Sequence, residues 1–71
     1  MVVVGDKAKF DPYKGMRVAG AFPVRATLTG TVVEVYYDHR WFSVEYVDEE
    51  GKKRRTSFNF NDIGKTVKVC N

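Results

Sequence analysis

Residues 28–60 read LTGTVVEVYYDHRWFSVEYVDEEGKKRRTSFNF. Three segments rich in β-branched and aromatic residues are separated by two short polar breaks, Asp38-His39-Arg40 and Asp48-Glu49-Glu50-Gly51. Runs of this kind, bounded by acidic residues and glycine, are the pattern of antiparallel strands joined by tight hairpins. The spacing predicts strands over Thr29–Tyr37, Trp41–Val47 and Lys52–Phe58. Glu34 is expected to face water. That places Val33, Val35 and Tyr37 on the inner face, with Val32 and Tyr36 on the side of Glu34. On the next strand Phe42, Val44 and Tyr46 form the inner set, and Ser43 and Glu45 point out. Gly30, inside a strand, predicts a bend or bulge. Gly51 suits a turn position that needs a positive φ.

Outward from this stretch the alternation continues. In Lys7-Ala8-Lys9-Phe10 the lysines share one face and the apolar residues the other, which predicts a first strand over Asp6–Phe10. Thr66–Val69 alternates again and makes a fifth strand. Between strands four and five, Asn59-Phe60-Asn61-Asp62-Ile63-Gly64 favours local side-chain-to-backbone bonds. One 3-10 turn is expected there, with Phe60 or Ile63 pinned into the core and Gly64 in the left-handed region. The segment Asp11–Thr27 carries Pro12, Gly15, Gly20 and Pro23, which interrupt any long regular element. A folded-over ribbon, Met16–Val18 against Phe22–Val24, is favoured over a long excursion. Met16, Val18, Phe22 and Val24 would otherwise be exposed apolar surface.

Five strands, a long first loop, two hairpins and a 3-10 turn before the last strand resemble an SH3-like small barrel. The resemblance covers almost the whole chain and implies an all-β fold in a single domain, residues 1–71. Two local patterns carry it further. Gly5-Asp6-Lys7-Ala8-Lys9-Phe10, followed by Gly30-Thr31-Val32-Val33-Glu34-Val35, resembles the KOW motif, a Gly-Asp strand followed by a Gly-x-Val strand. Trp41-Phe42-Ser43-Val44-Glu45-Tyr46-Val47-Asp48, followed by Phe58 and Asp62-Ile63, is similar to the Tudor pattern.

The chain has 71 residues and a formal net charge of +3. A domain this short buries roughly 60% of the surface its unfolded chain exposes. Its stability is then expected at roughly 4–11 kcal/mol. There is little room for a deep substrate cleft, which argues against an enzyme. No run approaches the roughly 18 apolar residues that span a bilayer. Met1–Val4 is too short for a secretory leader. A cytoplasmic protein without membrane contact is expected. The only cysteine, Cys70, has no intramolecular partner and suits a reducing compartment.

Nothing along the chain assembles a catalytic or metal-binding motif. One histidine and one cysteine cannot make a four-ligand zinc site. Ser43 and Ser57 fall on strands without a second histidine to activate them. Glu49 and Glu50 belong to a solvated turn, and the glycines do not form a phosphate loop. No cofactor is expected.

Charge and aromatic residues point instead to binding. Before Leu28 there are five basic and two acidic residues; from Leu28 to Gly51 Arg40 stands against six acids; beyond it six basic residues face one acid. Lys52-Lys53-Arg54-Arg55 is the densest basic run. Glu45 and Glu34 on facing strands are expected to balance part of it through cross-strand pairs, and the acidic turn Asp48-Glu49-Glu50 to neutralise more. With Tyr37, Phe42 and Tyr46 inside, Tyr36 and Trp41 point out beside Arg40, as a platform on which bases or a peptide could stack. The candidate contacts are Tyr13, Arg17, Tyr36, Arg40, Trp41, Arg54 and Arg55, on the outer surface of strands two and three with the long loop. Basic charge with aromatics slightly favours nucleic acid over protein as the partner. The rival reading is an interaction or assembly protein, since tiny barrels resembling this one serve as accessory subunits in mobile genetic elements.

Overall fold

The computed structural model describes residues 2–11, 27–48 and 50–70. Among the described residues there are five strands, β1 (Lys7–Phe10), β2 (Leu28–Tyr36), β3 (Trp41–Val47), β4 (Lys53–Asn59) and β5 (Val67–Cys70), with a 3-10 turn over Phe60–Asp62. The four strand ladders among the described residues are antiparallel, and the strand order is β4-β3-β2-β1-β5. Each of the five predicted strands is present, with no end shifted by more than one residue. Among the described residues no helix is long and apolar enough to cross a membrane. The ribbon expected between Met16 and Val24 lies outside the described residues.

The sheet is curled but open. In a flat sheet β1 and β4, three strand spacings apart, would stand roughly 14 Å from each other. Here the Phe10 ring on β1 meets Phe58 on β4 edge-on at 5.3 Å and Tyr46 on β3 at 5.0 Å. The sheet therefore wraps its inner face around Phe10. The expectation of an all-β fold of five strands holds, but among the described residues the sheet does not close into a barrel: β4 and β5 are its two ends, and no ladder joins them. An isolated parallel bridge, Ile63 with Val67, carries the chain from the 3-10 turn into β5.

Among the described residues the core is formed by Val2, Ala8, Phe10, Val32, Phe42, Val44 and Val67, with Leu28, Val35, Tyr46, Phe58, Phe60 and Val69 packed against it. Burying one such valine or phenylalanine side chain contributes about 1.5–3 kcal/mol relative to leaving it in water. Phe60 is the residue of the 3-10 turn that reaches the core; Ile63 stays 38% exposed. The Asp62 carboxylate accepts from the Asn59 backbone N–H at 3.0 Å and holds that turn at its start. Gly51 and Gly64 both take positive φ, 83° and 88°, as their turns require.

Three inner and outer assignments need correction, those of Val32, Val33 and Tyr37, and one cause explains the first two. Val32 pairs with Val44, yet Glu34 pairs with Ser43, so β2 advances two residues while β3 advances one. Val33 is the extra residue of a β-bulge, and the bulge reverses the alternation. Val32 is therefore fully buried rather than outward. Val33 is half-buried and outside the core cluster, while Val35, opposite Phe42, faces the core as expected. Tyr37 is not an inner residue. It lies beyond the end of β2 and stays 46% exposed; its hydroxyl donates to the Val2 carbonyl at 2.8 Å. Ser43 points outward but is buried, in register between Glu34 and Ser57 in the middle of the outer face.

The bulge is also not at Gly30, whose role is close approach. Gly30 pairs with Ala8, and a Cβ there would stand 2.5 Å from Val44 Cγ1 and 2.6 Å from the Glu45 carbonyl oxygen. Only hydrogen fits where β2 lies this close to β3.

Candidate functional site: the outer face of the sheet

Register defines the outer face. Past the bulge, Glu34 and Tyr36 of β2 stand opposite Ser43 and Trp41 of β3. Arg55, Ser57 and Asn59 of β4 continue these rows beyond Glu45, Ser43 and Trp41. Toward the other end, Lys7 and Lys9 of β1 pair with Thr31 and Thr29 of β2, and with Cys70 and Lys68 of β5.

Tyr36 and Trp41 stack on each other, with ring centroids 4.2 Å apart and planes 24° off parallel. Tyr36 remains 37% exposed, whereas Trp41 is half-buried by the stack. The Tyr36 hydroxyl donates to Glu34 Oε2 at 2.8 Å. That hydrogen bond, reinforced by the carboxylate charge, pushes the phenol pKa up and keeps it protonated. Arg55 then reaches Glu34 at 3.3 Å and Glu45 at 3.7 Å. The expected platform is thus one end of a connected chain: Trp41, Tyr36, Glu34, Arg55, Glu45.

Arg40 closes the hairpin at the same end. Four residues, Tyr37–Arg40, connect the paired Tyr36 and Trp41, and Arg40 ends the turn with φ 59°. Its carbonyl accepts from the Phe60 backbone N–H at 2.9 Å, tying the hairpin tip to the 3-10 turn. A non-glycine residue in the left-handed region costs of the order of 1–2 kcal/mol. Val35, Tyr36, Tyr37, Asp38 and His39 line a shallow depression of about 360 Å³ beside it.

Arg54 leaves this site. It pairs in register with Tyr46, and its guanidinium bonds the Asp48 carboxylate. Asp48 also accepts from the backbone N–H groups of Glu50 and Lys52, both at 2.9 Å, and so organises the β3–β4 turn. The Arg54 bond, followed by the Lys52 bond, holds the Asp48 carboxyl below its ordinary pKa. The same ion pair raises Arg54. Both arginines of the basic run are therefore matched to acids. Tyr13 and Arg17 lie outside the described residues.

A second basic region has no counterpart among the expected contacts. Lys9, Lys65 and Lys68, with Phe10, Asp11, Thr27 and Thr66, line a groove of about 500 Å³ at the far end of β1 and the start of β5. The clue available in sequence was the lysine alternation of both strands. What places them together is the pairing of the first strand with the last.

Among the described residues no group of three His, Cys, Asp or Glu side chains stands together in a way that could hold a metal ion. Comparison of the chain with family models, with curated proteins and with solved structures finds no match.

Proposed function

We propose that this chain is a small non-enzymatic binding module of SH3-like type whose outer face takes single-stranded nucleic acid. The strand order β4-β3-β2-β1-β5, with a 3-10 turn between β4 and β5, supports the SH3-like reading. The observation that carries the function is the Tyr36–Trp41 stack, partly exposed beside the depression at the hairpin tip. Every base has a π-face, so a pre-stacked aromatic pair accepts a base without sequence readout. Arg40 stands at the same tip, and lysines occupy the opposite end of the face. A single strand lying along the face would place a base against the aromatics and its phosphates toward the lysines.

Trp41 is the chain's only tryptophan and reports on the stack directly. Its fluorescence should be quenched by an oligothymidylate at low salt. Three to five phosphate contacts give a log-log salt slope of roughly −2 to −3.5 for a single strand. Tyr36→Ala should weaken binding by about 1–3 kcal/mol. Unchanged emission at low salt, with the oligonucleotide in excess, would exclude the reading.

One observation favours protein association instead. Val3, Val4 and Tyr37 are 47%, 62% and 46% exposed at the end where the Tyr37 hydroxyl holds the N-terminal segment. An assembly protein built on that surface would elute above monomer mass, and Tyr36→Ala or Trp41→Ala would restore the monomer only if the aromatic stack were part of the same contact.

A further inference from the structure

We propose that the groove lined by Lys9, Lys65 and Lys68 binds the phosphate groups of a polyanionic chain. The inference deepens the reading above by assigning the phosphate contacts to residues far from the arginine run.

Lys9 and Lys68 are direct cross-strand partners on β1 and β5. Like charges placed opposite each other destabilise a strand pair. At β4 no like charges stand opposite each other, and Glu34, Glu45 and Asp48 pair with its arginines; no such ion pair is made by Lys9, Lys65 or Lys68 among the described residues. Lys65 adds a third ammonium to the same groove, against one carboxylate, Asp11. Thr27 and Thr66 supply hydroxyl groups along the wall. A cation pair held together by backbone pairing, in an open groove, gains most from a ligand that brings negative charge.

The backbone decides which kind of anion suits it. Gly64 donates its N–H to the Val67 carbonyl at 2.7 Å; Lys65 and Thr66 donate theirs to the Asp62 carbonyl at 2.9 and 3.0 Å. This turn therefore offers no cradle of free N–H groups of the kind that encloses a single phosphate. Lysine is a mobile point charge without the fork geometry of arginine. Three lysines on an open wall therefore hold several phosphates in succession, loosely and with strong salt dependence, rather than one phosphate tightly.

Backbone amide and Trp41 indole shifts in a 15N-labelled chain separate this proposal from the stacking reading. Three probes are used at low salt: inorganic tripolyphosphate, a short oligothymidylate and a polyglutamate peptide. The amides of Lys9, Lys65, Thr66 and Lys68 should move with both phosphate probes, and the indole with the oligothymidylate alone. The double variant Lys9→Gln, Lys68→Gln should lose the groove shifts, weaken oligothymidylate binding roughly tenfold and lower the salt slope by roughly 1.4. The charge-matched control Lys52→Gln, Lys53→Gln should keep the groove shifts. Indole movement without groove shifts overturns the groove and leaves the stacking reading standing. Groove shifts without indole movement do the reverse. Equal weakening by both double variants, or equally strong binding of polyglutamate, overturns the groove as a phosphate site, as does silence with all three probes.

Discussion

At the β4 end of the molecule Arg54 meets Asp48, and Arg55 meets both Glu34 and Glu45. At the β1–β5 corner Lys9 faces Lys68 across the ladder, with Lys65 in the same groove. The first region is the conspicuous one in sequence, four consecutive basic residues, and its arginines are neutralised by neighbours on the same sheet. The second joins lysines from opposite ends of the chain and leaves them confronting each other. Local charge density in a sequence therefore says little about the potential a β-protein displays. Strand pairing decides which charges are cancelled and which accumulate.

This contrast requires that inner and outer faces are as described, and the largest expected effect tests that. Val44, fully buried opposite Val32, should cost about 2–3 kcal/mol on truncation to alanine. Val32→Ala should cost a similar amount and Val33→Ala clearly less, measured by urea denaturation. A larger loss at Val33 than at Val32 would move the bulge toward the start of β2: Val32 would turn outward and Thr31 inward, while Glu34 and Tyr36 would keep the outer face.

A smaller effect probes the neutralised region. The Asp48 carboxyl sits below its ordinary pKa of 3.8 because Arg54 and the turn N–H groups favour the charged form. A depressed carboxyl stabilises the fold above its ordinary value, and that contribution fades as pH falls through the lowered one. Asp48→Asn should therefore be less stable than the parent at neutral pH, and the gap should shrink below about pH 4. A gap independent of pH would mean that Asp48 acts only as a turn former through its backbone bonds, and that Arg54 carries a free charge after all.

The strands and turns were largely legible, because alternation and the glycines of the turns are local signals. Phe42 and Val44 were correctly read as core because each has a polar neighbour to set its phase. Val32 was not. In Thr31-Val32-Val33-Glu34 two adjacent valines fit either phase, and a bulge at Val33 leaves no glycine or proline to mark it. Ser43 was assigned to the correct side but not to its burial, which depends on residues brought alongside from β2 and β4. At the site, Tyr36 and Trp41 were expected to point out near one hairpin, but not to pair directly, because the turn takes in Tyr37 and is one residue longer than Asp38–Arg40. Glu34 and Glu45 were expected to balance part of the Lys52–Arg55 run; that both meet Arg55 was not read from the sequence. The Lys9–Lys68 confrontation was hidden, because it needs the β1–β5 ladder, and nothing local in either strand announces that pairing.

The smallest expected effect tests that confrontation itself. Lys68→Glu would place opposite charges across the ladder where like charges now stand. Cross-strand pairs of this kind are worth about 0.2–1 kcal/mol, so the variant should be more stable than the parent by an amount in that range. The gain should diminish as salt rises, since these side chains are exposed and screening acts on them fully. Arg55→Glu should do the opposite, because it sets a third acid beside Glu34 and Glu45. If Lys68→Glu brings no gain at low salt, the lysine tails already relieve their repulsion by spreading into water. The two basic regions would then differ in partners but not in stored electrostatic tension, and the groove would lose its energetic reason to take up an anion. A gain in stability accompanied by loss of the groove shifts would instead show a chain that keeps a repulsive pair at the expense of stability because the pair has a ligand to hold.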